Sequence, residues 1–124
     1  MKALSVHQPW AELIRQGRKT IELRRRPTHY RGPIAIVSTV RKPDPDLCKR
    51  FGLDPAELPL GTTRCVVELF DSRPATDADA EGACCGIESG EEAYLLGAPT
   101  PCEPTRVRGQ QGWYDVPADR VVTR

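Results

Sequence analysis

The segment QGRKTIELRRR, residues 16–26, sets five basic side chains around one carboxylate, Glu22. A strip of lysine and arginine suits a polyanion, because neutralising phosphates needs cations and little geometry. A carboxylate in that strip repels phosphate and needs another reason to be there. Three chemistries are open to Glu22. It can pair with the cations on either side and orient a guanidinium. It can accept hydrogen bonds from a base, such as the exocyclic amine of cytosine. Close to Lys19, it can also exchange a proton with a substrate or activate water. Lys19, Arg24, Arg25, Arg26 and, further on, Arg31 are the candidate phosphate contacts, with Trp113, Tyr114, Tyr30 and His7 as candidate platforms for a stacked base. Trp113 and Tyr114 are neighbours on a strand-like stretch and alternate across it, so one of the two belongs to the core.

These side chains need elements to hold them. KALSV reads as a short strand, and HQPWAELIRQG as a helix with Pro9 in its first turn and Gly17 at its left-handed end. Trp10, Leu13 and Ile14 recur at helical spacing, which assigns Trp10 to the apolar face. KTIELR then alternates with period two, so Ile21 and Leu23 face one way and Thr20, Glu22 and Arg24 the other. On a regular strand Lys19 and Glu22 would diverge. Lys19 is therefore expected to belong to the turn, from which it can reach the same cleft.

Downstream, PIAIVSTV reads as a buried strand, PDPDLCKRFG as a short helix closed by Gly52, DPAELP as a further helical turn and TTRCVVELFDSR as the longest strand. Residues 74–90 are small, acidic and glycine-rich, the composition of a long surface loop. EEAYLLG reads as one or two helical turns, PTRVRG and QQGWYDVP as strands, and ADRVVTR as the closing segment. Arg106 and Arg108 alternate on one face and either extend the basic cleft or form a solvated edge. Gly109 to Gly112 read as a turn rather than a phosphate-binding loop, since no helix follows. Short strands and turns with interspersed helices predict a mixed α+β barrel.

Composition bounds the partners. The 124 residues carry 18 Lys and Arg against 17 Asp and Glu, yet residues 1–50 sum to +8 and residues 51–124 to −7. Such asymmetry fits a cationic face for an anion, or two halves that neutralise each other. The length predicts one domain over 1–124. No apolar run approaches the roughly 20 residues that span a bilayer, and MKALSVHQPW lacks the apolar core of a signal peptide, so a soluble cytoplasmic protein without membrane partners is expected. Five cysteines, including the adjacent Cys84 and Cys85, match no zinc spacing, and the histidines have no companion ligands. Reduced thiols, no metal and no cofactor are the expectation.

The stretch HQPWAELIRQGRKTIELRRRPTHYRGPIAIVST resembles the opening of the activating signal cointegrator homology (ASCH) domain. Gly17, Lys19, Glu22 and Arg24 meet that family's G-x-K-x-x-E-x-R signature. YRG at Tyr30 to Gly32, the CVVELFD strand and the late VRGQQGWYDVP also match, so the resemblance runs nearly end to end. It implies a PUA-like mixed β-barrel with flanking helices, a signature lying along a cleft between barrel and helix, and an RNA or other nucleic-acid ligand.

The resemblance also implies enzymatic alternatives. Small members of the superfamily are amidohydrolases that deacetylate N(4)-acetylcytidine with a lysine base, a threonine nucleophile three residues later and a distal glutamate. Lys19 matches the lysine and Glu68 is a plausible counterpart of the glutamate, but the nucleophile position holds Glu22. A carboxylate would attack a simple amide only through an anhydride, a poor route, so hydrolysis would have to use water activated by Glu22 or Lys19. Ribonuclease action would use Lys19 against phosphorane charge. A third class is a protein-interaction or transcription-coregulator module.

Overall fold

The computed structural model describes residues 1–124. Its elements in chain order are β1 (Lys2–Val6), α1 (Trp10–Arg15), β2 (Ile21–Arg24), β3 (Gly32–Ser38), α2 (Pro45–Arg50), β4 (Thr63–Pro74), α3 (Ala80–Ala83), β5 (Glu92–Leu96), β6 (Thr100–Pro101) and β7 (Tyr114–Asp115). Single 3-10 turns lie at Pro55–Glu57, Asp77–Asp79 and Ala118–Arg120. The strands form one mixed sheet in the order β2-β5-β4-β3-β1-β7, with β6 beside β4. Only β1 and β3 run parallel, joined by a crossover that contains α1 and β2.

The 12-residue β4 makes the sheet curl. Its first half pairs with β3, from Thr63 opposite Val37 to Leu69 opposite Gly32. Its second half pairs with β5, and the register slips between Leu69 and Asp71. A bulge bends and twists its strand, so the two halves of β4 serve two walls of a half-barrel. The inner face is apolar at every second position: Leu4 and Val6 of β1, Ile34 and Ile36 of β3, Val67 and Leu69 of β4. Ala11 and Ile14 of α1 close one end of this core. The result is α+β with a PUA-like barrel and small flanking helices.

Three segments differ from the expectation. EEAYLLG is the strand β5, not helix. It lies between β2 and β4 and buries Tyr94 and Leu96 on the inner face while Ala93 packs outward on Ile21 and Ala83. A strand covered on both faces has no polar alternation to reveal it. PTRVRG contributes a single bridge, Thr62 to Arg106, and no strand, while β7 is only two residues long. The ladder places for a longer edge are absent because β1 offers β7 only Lys2 and Ala3.

Residues 74–90 are the third case. They hold a 3-10 turn and α3, docked on β2 rather than looping free. Their small residues serve close packing: a Cβ on Gly82 would stand 2.9 Å from both Ile21 Cδ1 and Thr20 Oγ1. Thr20 N–H donates to the Gly82 carbonyl at 2.8 Å.

Gly17 adopts the left-handed φ of +78° after α1, as its position in the sequence requires. Pro9 stands one residue before the helix instead of in its first turn. No helix is long and apolar enough to cross a membrane.

Candidate functional site

The turn after α1 fixes the first site residue. Arg18 and Lys19 N–H both donate to the Leu13 carbonyl at 3.0 Å, which holds the chain against the helix end. Lys19 thus lies before β2 and escapes its alternation. Its side chain runs inward and is 3% exposed. The ammonium donates to the Ala83 carbonyl at 2.7 Å, lies 3.6 Å from Glu22 Oε1 and stands 5.3 Å from the centroid of the Trp10 ring. A buried ammonium needs such company, since an unpaired one would cost several kcal/mol.

Glu22 and Arg24 share a face of β2. Arg24 donates to Glu22 Oε2 from Nε at 3.2 Å and from Nη2 at 2.9 Å. The same Nη2 donates to the Ser5 carbonyl at 2.9 Å. Glu22 therefore stands between two cations, one oxygen toward each, and Arg24 is tied across to β1. Its Nη1 enters none of these bonds and remains free to face a ligand.

Two depressions meet at Arg24. The smaller, about 430 Å³, is lined by Trp10, Lys19, Glu22, Leu23 and Cys85, among others. The larger, about 750 Å³, extends from Ser38 and Thr39 to the 106–112 turn. Ser5, His7 and Arg24 line both, so the two form one groove with Arg24 at its waist. His7 Nδ1 lies 2.7 Å from Thr39 Oγ1, which orients the ring on this floor.

The other predicted residues divide. Arg25 reaches the smaller depression, although it is mostly exposed and 3.9 Å from Glu88. Arg26 is exposed, and its carbonyl accepts from the Tyr94 hydroxyl at 2.7 Å. Arg31 is consumed locally, donating to the Thr28 and Tyr30 carbonyls and standing 3.6 Å from Asp71. Tyr114 is the core member of its pair at 6% exposure, its hydroxyl 2.7 Å from Ser5 Oγ, and offers no ring face to a ligand. Trp113 is half-buried, stacked at 14° on Tyr94 and 5.5 Å from Tyr30, and lines neither depression. The aromatic ring that lines the smaller depression is Trp10, which the helical spacing assigned to the core. It does pack on the core and edge-on to Phe51, but its remaining surface faces Lys19.

Glu68 is not brought to Lys19 and Glu22. Glu22 lies opposite Tyr94 and so shares the inner face, as do Val67 and Leu69. Glu68, between those two on β4, points to the outer face and is exposed. Glu68 is therefore not a distal carboxylate beside Lys19. All five thiols are free, and burial pushes Cys85 up despite the lowering effect of Lys19, so it is no resting thiolate. No three His, Cys, Asp or Glu side chains cluster as metal ligands.

The chain matches the ASCH domain profile over residues 4–104. It belongs to the ASCH family. A 42-residue stretch is 50% identical to human activating signal cointegrator 1, covering 34% of the chain but only 7% of that protein. The crystal structure of ASCH from Zymomonas mobilis superposes with a TM-score of 0.66 at 16% identity, over 96% of this chain and 89% of that one. A tyrosine-to-phenylalanine variant of the same bacterial protein gives 0.63 at 16% identity, over 96% and 91%. At that identity the likeness speaks for the fold alone. Lys19, Glu22 and Arg24 line the groove where the turn passes into β2, and Gly17 ends α1 just before them.

The cover over Lys19 has its own latch. Arg73 donates twice to the Asp79 carboxylate at 2.8 Å, and Thr76 N–H adds a third bond at 2.9 Å. The Arg73 guanidinium, with the Thr76 N–H, pulls the Asp79 acid down to about 2. A depressed acid stabilises the fold above its unfolded value near 3.8 and loses that contribution as pH falls through about 2. Wild-type stability should therefore drop between pH 4 and 2, and Asp79→Asn should flatten that segment of a urea-midpoint-against-pH curve. An unchanged curve would mean that the latch does not contribute.

Proposed function

We propose that this ASCH protein binds single-stranded nucleic acid, RNA in the first instance, in the groove through Lys19, Glu22 and Arg24, as a reader rather than a catalyst. The observation that carries this is the Glu22 carboxylate held between two cations, with one oxygen committed to each. A carboxylate so engaged is a poor general base, whereas its remaining lone pairs still accept a bond from an amino group. Lys19, bonded to the Ala83 carbonyl and facing Trp10, is likewise placed to set a field rather than to shuttle protons. The nucleic-acid association of the family agrees with a groove of this charge.

The reading predicts salt-dependent binding of short RNA, with log K falling by about 0.7 per phosphate neutralised for each decade of salt. Quenching of Trp10, which faces the smaller depression, should report it, and Trp10→Phe should remove most of the signal. Salt-insensitive silence toward RNA and single-stranded DNA would sink the reading and favour a protein partner. Product release from an acetylated cytidine or from RNA would replace the reader with an enzyme.

A further inference from the structure

The two depressions differ in charge. The smaller mixes Lys19, Arg24 and Arg25 with Glu22 and Glu91. The larger is lined by Arg24, Arg106 and Arg108 and by no Asp or Glu. Neither Arg106 nor Arg108 spends its guanidinium on the protein. Arg106 is held through the backbone: its carbonyl accepts from Arg120 Nη1 at 3.1 Å, and it lies opposite Thr62 in a bridge that its neighbours make, Val107 N–H donating to the Gly61 carbonyl at 3.0 Å and Thr63 N–H to the Thr105 carbonyl at 2.9 Å. Arg108 makes no side-chain bond at all, and neither residue joins any ion pair of the chain. The third cation, Arg24, offers the Nη1 that Glu22 and Ser5 leave free.

Arg106 and Arg108 have no counterion, and Arg24 is paired with Glu22 on its far side only, so an anion in the cavity relieves the repulsion among the three guanidiniums. The amides of Gln110 and Gln111, which make no hydrogen bond within the protein, supply neutral donors of the right kind at the cavity's rim. The turn is drawn in close, since a Cβ on Gly109 would stand 2.9 Å from Ser5 Oγ. The phosphate chemistry here belongs to side chains flanking a turn, so it needs no helix N-terminus.

We propose that the larger depression is a phosphate site and that the groove's preferred ligand is a nucleotide strand ending in a phosphomonoester. Its dianionic phosphate lies against Arg24, Arg106 and Arg108, and its terminal base lies toward Trp10 and Glu22. A dianion matches three cations better than the monoanionic diester of a strand interior. The base half rests on the nucleic-acid reading above; the phosphate half rests on the charge of the cavity alone.

The test compares one short RNA carrying a 5′-phosphate, a 3′-phosphate or free hydroxyls at both ends, with inorganic pyrophosphate as a separate probe. One phosphorylated form should bind about tenfold or more tightly than the hydroxyl form. The double variant Arg106→Gln, Arg108→Gln should abolish that gap, keep the affinity for the hydroxyl form within about threefold, and melt as wild type because both side chains are exposed. Equal binding of the three RNAs, or a gap that survives the double variant, would overturn the phosphate site while leaving the nucleic-acid reading intact. If no RNA binds but pyrophosphate does, and the double variant loses it, the phosphate site stands and the nucleic-acid reading falls.

Discussion

Glu22→Gln should cost the fold on the order of 3 kcal/mol and weaken RNA binding by tenfold or more, far beyond the effect of Arg26→Ala. Glu22 is 12% exposed and Lys19 is 3% exposed, so the amide would leave the buried ammonium with the Ala83 carbonyl and no counterion. Breaking one side of a buried pair typically costs about 3–5 kcal/mol, and the open side of the groove puts this case at the low end. The same change frees Arg24, which then loses the orientation that Glu22 Oε2 imposes. Lys19→Ala should also disturb binding more than Arg26→Ala. The double variant Glu22→Gln, Lys19→Met should recover much of the stability but none of the affinity, because it removes the unpaired charge together with the site. Urea titrations and RNA titrations on the four variants check both halves. Equal losses of affinity for Glu22→Gln, Lys19→Ala and Arg26→Ala would mean diffuse electrostatics and no organised groove.

Much of this groove is legible in residues 16–24, and the reason is local. A glycine that ends a helix, a lysine still in the turn and a period-two strand are decided within a few residues, so their relative placement follows from backbone rules. What the sequence hides is decided by distant partners. The face of Glu68 depends on which side of β4 meets the core, and period two alone does not say which. Tyr114 or Trp113 as the core residue is the same ambiguity, resolved by Ser5 and by Tyr94. β5 loses its signature because both its faces are covered. Residues 74–90 have a loop's composition, yet alanine and glycine there also permit the tight approach of α3 to Thr20 and Ile21. Small residues state that two backbones can come close; they do not state whether anything comes.

A carboxylate outside the groove governs how firmly α1 is held. Glu12 of α1 is 6% exposed and meets Arg15 Nη2 at 2.6 Å, Gln16 Nε2 at 3.0 Å and Arg64 Nη2 at 3.3 Å. Arg64 is itself buried, and its Nε and Nη1 have no hydrogen-bond partner, so Glu12 is the one group that compensates this guanidinium. Glu12→Gln should therefore cost about 3–5 kcal/mol and lower Tm by about 10–20 °C. Burial alone would raise the Glu12 acid, but bonding to Arg15, Gln16 and Arg64 overcomes it and holds the acid below its ordinary value of 4.5. A depressed acid contributes its stability above that value and loses it as pH falls, so the gap between wild type and Glu12→Gln should narrow below pH 4.5. Adding Arg64→Met to Glu12→Gln should restore part of the loss by removing the orphaned cation. Because α1 carries Trp10 and its end anchors Lys19, any Glu12→Gln molecules still folded at low temperature should bind RNA nearly as wild type does. A Tm loss under about 3 °C, or a gap that widens in acid, would show that Arg64 is compensated by something other than Glu12.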